Sequence, residues 1–118
     1  MASIKVKKNN VRRWGIYSVS DKLSKNNFII NDVVEKPKKS QAPSNFAIIG
    51  RYILPKKIMK YLKNLKPGQG KEIHITDAIR KLIKQGDKFH GNIFKGKYLD
   101  CGTITGYINS GNQIYKQK

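Results

Sequence analysis

The chain has 118 residues, 25 Lys and Arg against 7 Asp and Glu, a formal charge of +18 at pH 7, and 38% hydrophobic residues. That length fits one small domain, and the apolar content supports a modest core and excludes wholesale disorder. A single cysteine, Cys101, excludes an internal disulfide and a cysteine cluster for zinc, and points to a reducing, cytoplasmic setting.

No apolar run approaches the roughly 20 residues needed to cross a bilayer. The basic N-terminus is followed by no apolar stretch or small-residue cleavage site, so no secretory signal is expected. The charge comes from 21 Lys and only 4 Arg, beside 16 Ile and 10 Asn. Readers of nucleic acid depend on Arg for bidentate contacts. The charge therefore has two readings, a nucleic-acid footprint or a compositional Lys/Ile/Asn excess on a solvated surface.

Residues 1 to 13 carry five basic side chains, no acid and no periodicity, which predicts a basic flexible lead-in before a domain spanning 14 to 118. Gly15 opens a short strand, Ile16 to Val19. Ser20 to Asn27 is polar and reads as a turn. Phe28 to Lys36 is β-branched and stops at Pro37, giving a second strand able to pair with the first as a hairpin. After a Lys/Ser/Pro loop, Phe46 to Ile53 is almost continuously apolar, the pattern of a strand buried on both faces.

Pro55 suits the first residue of a helix whose apolar positions are Ile58, Met59, Leu62 and Leu65, ended by Pro67 to Gly70. Thr76 is the predicted N-cap of the next helix. Its stripe is Ala78, Ile79, Leu82 and Ile83, and Gly86 closes it. Lys88 to Phe94 is a weak strand, and Thr103 to Tyr115 a last helix weakened by Gly106 and Gly111. The order reads as an α/β fold, a mixed sheet with about three helices.

Several chemistries are discarded on spacing. His74 and His90 have no second ligand nearby and read as partly exposed structural histidines. Cys101 lacks a nucleophile motif and reads as a small buried thiol. Pro67-Gly68-Gln69-Gly70-Lys71 lacks the spacing of a phosphate loop. Three features remain: Gly15, the Glu35-Lys36-Pro37 tip, and Asp100-Cys101-Gly102 at the end of the last strand. Loops beyond the strand ends of an open α/β sheet gather ligands. A carboxylate beside an ammonium there can hold sugar hydroxyls with one and phosphate with the other, although the same pair also fits a solvated strand end.

The run Val33-Val34-Glu35-Lys36-Pro37, with Ala42-Pro43-Ser44-Asn45-Phe46-Ala47-Ile48-Ile49-Gly50-Arg51-Tyr52-Ile53-Leu54, resembles the second half of the bacterial UTP–glucose-1-phosphate uridylyltransferases. The likeness continues through Pro67 to Ile79 and Gly96-Lys97-Tyr98-Leu99-Asp100-Cys101-Gly102, and covers about residues 14 to 115. The resemblance implies the sugar-phosphate-binding half of a Rossmann-like nucleotidyltransferase fold. It also implies in-line attack of glucose 1-phosphate on the α-phosphorus of UTP, where positioning and charge neutralisation dominate.

By that resemblance Gly15 matches a glycine where the backbone approaches the sugar. Glu35 matches the carboxylate that binds glucose hydroxyls, and Lys36 the lysine on the sugar's phosphate. Asp100 matches a metal-site aspartate that acts with Mg²⁺. No catalytic residue is assigned.

Trp14 stands where tyrosine is usual, His74 for glutamine, and Ile104 where a lysine often follows. The family's Gly-x-Gly-Thr-Arg loop, its uridine-reading residues and its first metal aspartate have no counterpart here. The expectation is a truncated or split form, inactive alone, with its strand at Phe46 to Ile53 lacking parallel neighbours. A separately encoded nucleotide half or a homo-oligomer would then cover the exposed apolar surface. The competing class is a basic nucleic-acid-binding module resting on the segments 5–13 and 56–66, with steeply salt-dependent binding.

Overall fold

The structure is a computed structural model that describes residues 1–117, apart from the Gln69 side chain. Five strands, β1 (Ala2–Lys5), β2 (Gly15–Lys22), β3 (Asn27–Glu35), β4 (Phe46–Ile48) and β5 (Phe89–Ile93), close into a barrel in the order β1-β4-β2-β3-β5. β1 and β5 pair in parallel, and every other pairing is antiparallel. The helices are α1 (Ile58–Lys63), α2 (Ile75–Lys84) and α3 (Ile104–Tyr115). The mixed α/β class with about three helices is therefore as the sequence predicts.

The hairpin forms, but its strands run longer than their apolar runs. β2 continues to Lys22 and β3 begins at Asn27, leaving 23–26 as the turn, with bulges around Ser18, Val19 and Asp21 absorbing the register shift. At its far end Gly15 faces Glu35.

Three expectations are corrected. Residues 1–13 are no bare lead-in: they supply β1 and a 3₁₀ turn at Lys8–Arg13 whose Val11 is buried. β1 pairs with strands distant in sequence, so no local period marks it.

The apolar run Phe46 to Ile53 is a strand only to Ile48. Gly50 and Arg51 take left-handed φ values of 85° and 61° and turn the chain away, leaving Ile53 95% exposed. The sheet is also not open. β4 has β1 on one side and β2 on the other, both antiparallel, so it presents no unpaired edge.

Barrel closure is built around Tyr17. Its ring is fully buried and stacks on Phe46, centroids 5.4 Å apart. Its hydroxyl shares a 2.7 Å hydrogen bond with the buried Ser3 Oγ, which donates to the Asn92 carbonyl at 3.0 Å. One chain of polar contacts thus ties β2, β1 and β5, and among the described residues no buried side-chain nitrogen or oxygen lacks a partner. Gly91 completes the fit: a Cβ there would lie 2.6 Å from Tyr17 Oη.

α2 follows its predicted stripe. Ala78, Ile79 and Leu82 are fully buried in one cluster with Tyr17, Ile30, Val33, Ile48 and Phe89. Burying each of the two larger side chains contributes about 1.5–3 kcal/mol. Arg80 clamps the helix to β3, donating from Nε and Nη2 to the two Asp32 oxygens at 2.7 and 2.9 Å. Gly86, with φ 91°, ends it as the sequence predicts. In α1 only Ile58 is fully buried, and Met59, expected on the apolar face, is exposed.

Candidate functional site

The register that sets Gly15 opposite Glu35 places two of the predicted site residues side by side at the barrel end, and Lys36 follows directly. Lys36 donates its backbone N–H to the Trp14 carbonyl at 3.0 Å and adopts φ 42°. That left-handed turn redirects the chain before Pro37. Lys36 Nζ lies 3.7 Å from Glu72 Oε2.

The Glu35 carboxylate is largely buried, its side chain 14% exposed. Thr76 Oγ1 donates to its Oε2 at 2.7 Å, while Oε1 lies 4.0 Å from His74 Nδ1. His74 Nε2 is in turn 3.7 Å from Glu72 Oε2. Tyr52 belongs to the same neighbourhood: burial, and then the Glu35 charge, push its phenol pKa up. The result is a shallow cluster of two carboxylates, an ammonium, an imidazole and two hydroxyls.

Gly15 has a packing reason of its own. A Cβ at this position would lie 2.7 Å from Thr76 Cγ2 and 3.0 Å from Glu35 Oε2. The glycine therefore makes room for the threonine–carboxylate pair.

Thr76 also departs from its predicted role. The N-cap of α2 is His74, which makes no side-chain cap, and Thr76 lies inside the first turn with its hydroxyl turned to Glu35. A capping threonine is worth about 1 kcal/mol to a helix. Here the hydroxyl serves the carboxylate instead.

Asp100 is not at the end of β5, which stops at Ile93, but in the loop before α3. It reaches this end of the barrel through Arg13, whose Nη2 meets Asp100 Oδ2 at 2.5 Å while its guanidinium lies over the Trp14 ring. Asp100 Oδ1 accepts from the Gly102 N–H at 3.1 Å. Among the described residues no group of three His, Cys, Asp or Glu side chains could hold a metal ion. Asp100 is thus one carboxylate with both oxygens engaged, and the donor set does not by itself fit a divalent cation.

His90 is exposed and, contrary to expectation, so is Cys101. A cavity of about 450 Å³ lined by Ala2, Ile49, Arg51, Phe94, Tyr98 and Leu99 shares none of the cluster's residues. Thr76, His74, Glu72 and Tyr52 were not singled out as site residues. The threonine's pattern is that of an ordinary cap, and nothing local announces the others.

The sequence profile of the nucleotidyl transferase family matches residues 1–117, and the chain belongs to that family. Relatives within it include curated uridylyltransferases. Two UTP–glucose-1-phosphate uridylyltransferases of Pseudomonas aeruginosa are 48% identical over 89 residues (75% of this chain, 32% of the relative) and 40% identical over 116 residues (98% and 41%).

The crystal structure of UDP-glucose pyrophosphorylase complexed with UDP-glucose superposes with a TM-score of 0.92 at 41% identity, covering 99% of this chain and 44% of that one. A UTP-bound UGPase from Acinetobacter baumannii gives 0.78 at 33% identity, covering 97% and 38%. The resemblance read from the sequence therefore holds, and it extends through residues 1–13. The chain spans about a third to two fifths of the length of these curated relatives. Nothing in the match supports a basic nucleic-acid-binding module. Among the described residues no helix is long and apolar enough to cross a membrane.

Proposed function

We propose that this chain is the sugar-phosphate-binding part of a UTP–glucose-1-phosphate uridylyltransferase. The observation that carries the reading is the pairing of Gly15 with Glu35 beside Lys36, which sets a shielded carboxylate next to an ammonium. Glu35 accepts hydrogen bonds from glucose hydroxyls, and Lys36 holds the phosphate as a mobile point charge. In the reaction a phosphate oxygen of glucose 1-phosphate attacks the α-phosphorus of UTP. The bond from that phosphorus to the bridging oxygen breaks, and pyrophosphate leaves.

Were Mg²⁺ to bind here, Asp100 would first have to release one oxygen from Arg13 or from the Gly102 N–H, with the substrate phosphates supplying further oxygens, and the ion would neutralise phosphate charge. The setting is cytoplasmic, in keeping with the exposed free thiol of Cys101.

The 118 residues contain no Gly-x-Gly-Thr-Arg loop for the triphosphate, so turnover requires a nucleotide-binding partner segment. The apolar side of α3 favours such a partner. Ile104, Tyr107, Ile108, Ile114 and Tyr115 are all more than half exposed, at helical spacing on one stripe.

Two measurements test the reading. Titration of the purified chain with glucose 1-phosphate gives saturable binding that Glu35→Gln and Lys36→Ala each weaken. UTP, glucose 1-phosphate and Mg²⁺ with the chain alone give no UDP-glucose, and product forms when the nucleotide-binding part of a relative is added. UDP-glucose from the chain alone, or binding indifferent to both substitutions, overturns it.

A further inference from the structure

We infer that Thr76 is a positioning residue: its hydroxyl pins Oε2 of Glu35, so that Oε1 is the oxygen offered to a sugar hydroxyl. The inference rests on the sugar-phosphate reading of the site. A free carboxylate rotates about its last bond and presents either oxygen to water or ligand, whereas one that accepts a short hydrogen bond from a fixed donor presents the other in a single direction.

Thr76 is such a donor. It is 3% exposed, its Oγ1 stands 2.7 Å from Oε2, and burial leaves the hydroxyl little access to competing water. The donor's own place is set by rigid packing. Ala78, Ile79 and Leu82 of α2 are fully buried, and Arg80 grips Asp32 on β3, the strand that ends in Glu35. Helix and strand therefore hold hydroxyl and carboxylate in one frame.

Two further observations point the same way. The hydroxyl is taken from the helix start, where His74 makes no side-chain cap. Position 15 is a glycine whose Cβ would collide with Thr76 Cγ2 and crowd Glu35 Oε2. Oε1 lies 4.0 Å from His74 Nδ1, beyond hydrogen-bond reach.

The experiment compares Thr76→Val, which keeps the shape and removes the hydroxyl, with Thr76→Ser, which keeps the hydroxyl. NMR of the selectively labelled full chain reads the Glu35 side chain, and calorimetry reads binding of glucose 1-phosphate and of inorganic phosphate. In the parent and in Thr76→Ser, the ¹³Cδ shift of Glu35 is that of a hydrogen-bonded carboxylate; in Thr76→Val it moves toward that of an unbonded one.

Thr76→Val loses roughly 10-fold in affinity for glucose 1-phosphate, the loss of a hydrogen bond to a charged group, with inorganic phosphate unchanged. An unmoved Glu35 ¹³Cδ shift in Thr76→Val, or equal losses for both ligands, overturns the positioning role. A parent chain that binds both ligands equally overturns the sugar-phosphate reading, while the carboxyl-shift measurement still decides on the pin.

Discussion

Gly91→Ala tests barrel closure at its tightest point. The added methyl would lie 2.6 Å from Tyr17 Oη and 2.7 Å from Cζ, about 1 Å inside the ~3.5 Å of ordinary contact. Tyr17 cannot easily yield. It is fully buried, its ring lies nearly parallel to Phe46 at 8°, and its hydroxyl is bonded to Ser3.

Relief requires the ring to shift and that bond to stretch or break. Overpacking costs about 1–3 kcal/mol and the hydrogen bond about 1 kcal/mol, so a destabilisation of about 2–4 kcal/mol is expected. Urea unfolding followed by far-ultraviolet circular dichroism measures it, with Tyr17→Val as partner in a double-mutant cycle. Removing the ring removes the clash, so Gly91→Ala should cost less than 1 kcal/mol in that background. A cost below about 0.5 kcal/mol in the parent, or strict additivity in the cycle, would show that β5 does not cross Tyr17, and the closed barrel would be wrong.

Other substitutions probe the remaining layers. Leu82→Ala leaves a cavity between α2 and the barrel, and a loss of about 2–5 kcal/mol in the same unfolding measurement is expected. Asp32→Asn weakens a bidentate pair that is about a third exposed at each partner, so the loss is about 1 kcal/mol and shrinks in high salt; a salt-independent loss refutes this. Thr103 Oγ accepts from the Gly106 N–H at 3.0 Å, so Thr103→Ala lowers the helical signal of α3 at a cost of about 1 kcal/mol. Burial raises the pKa of Tyr17 and of Tyr52, the latter also through Glu35. Their contribution to stability is therefore complete below pH 10 and is lost as pH climbs through the higher folded-state values. Unfolding midpoints should fall above pH 10, and Tyr17→Phe should lessen the fall.

What the sequence discloses follows from how local each cause is. The stripe of α2 and the hairpin strands rest on neighbours within a few positions, and both are readable from residue spacing. β1 is not, because its partners Phe46 to Ile48 and Asn92 lie far along the chain and its four residues carry no period. Ile53 misleads for a related reason: an apolar run predicts a strand, but the turn at Gly50 and Arg51 is a matter of backbone angles.

Gly15, Glu35 and Lys36 come from matched motifs, and the structure brings them together. Thr76 was visible only as a cap, since what redirects its hydroxyl lies 41 positions upstream. Asp100 was visible, but its Arg13 partner, 87 positions away, was not.

Lys36 combines two backbone disadvantages, a left-handed φ of 42° and a proline immediately after it. A side chain bearing a Cβ costs about 1–2 kcal/mol in that conformation, and glycine would relieve it. The fold alone would therefore choose glycine at the position where the proposed ligand asks for an ammonium. A library of variants sorted purely by heat resistance would enrich Lys36→Gly and discard the proposed phosphate contact, returning a sturdier barrel without the ammonium.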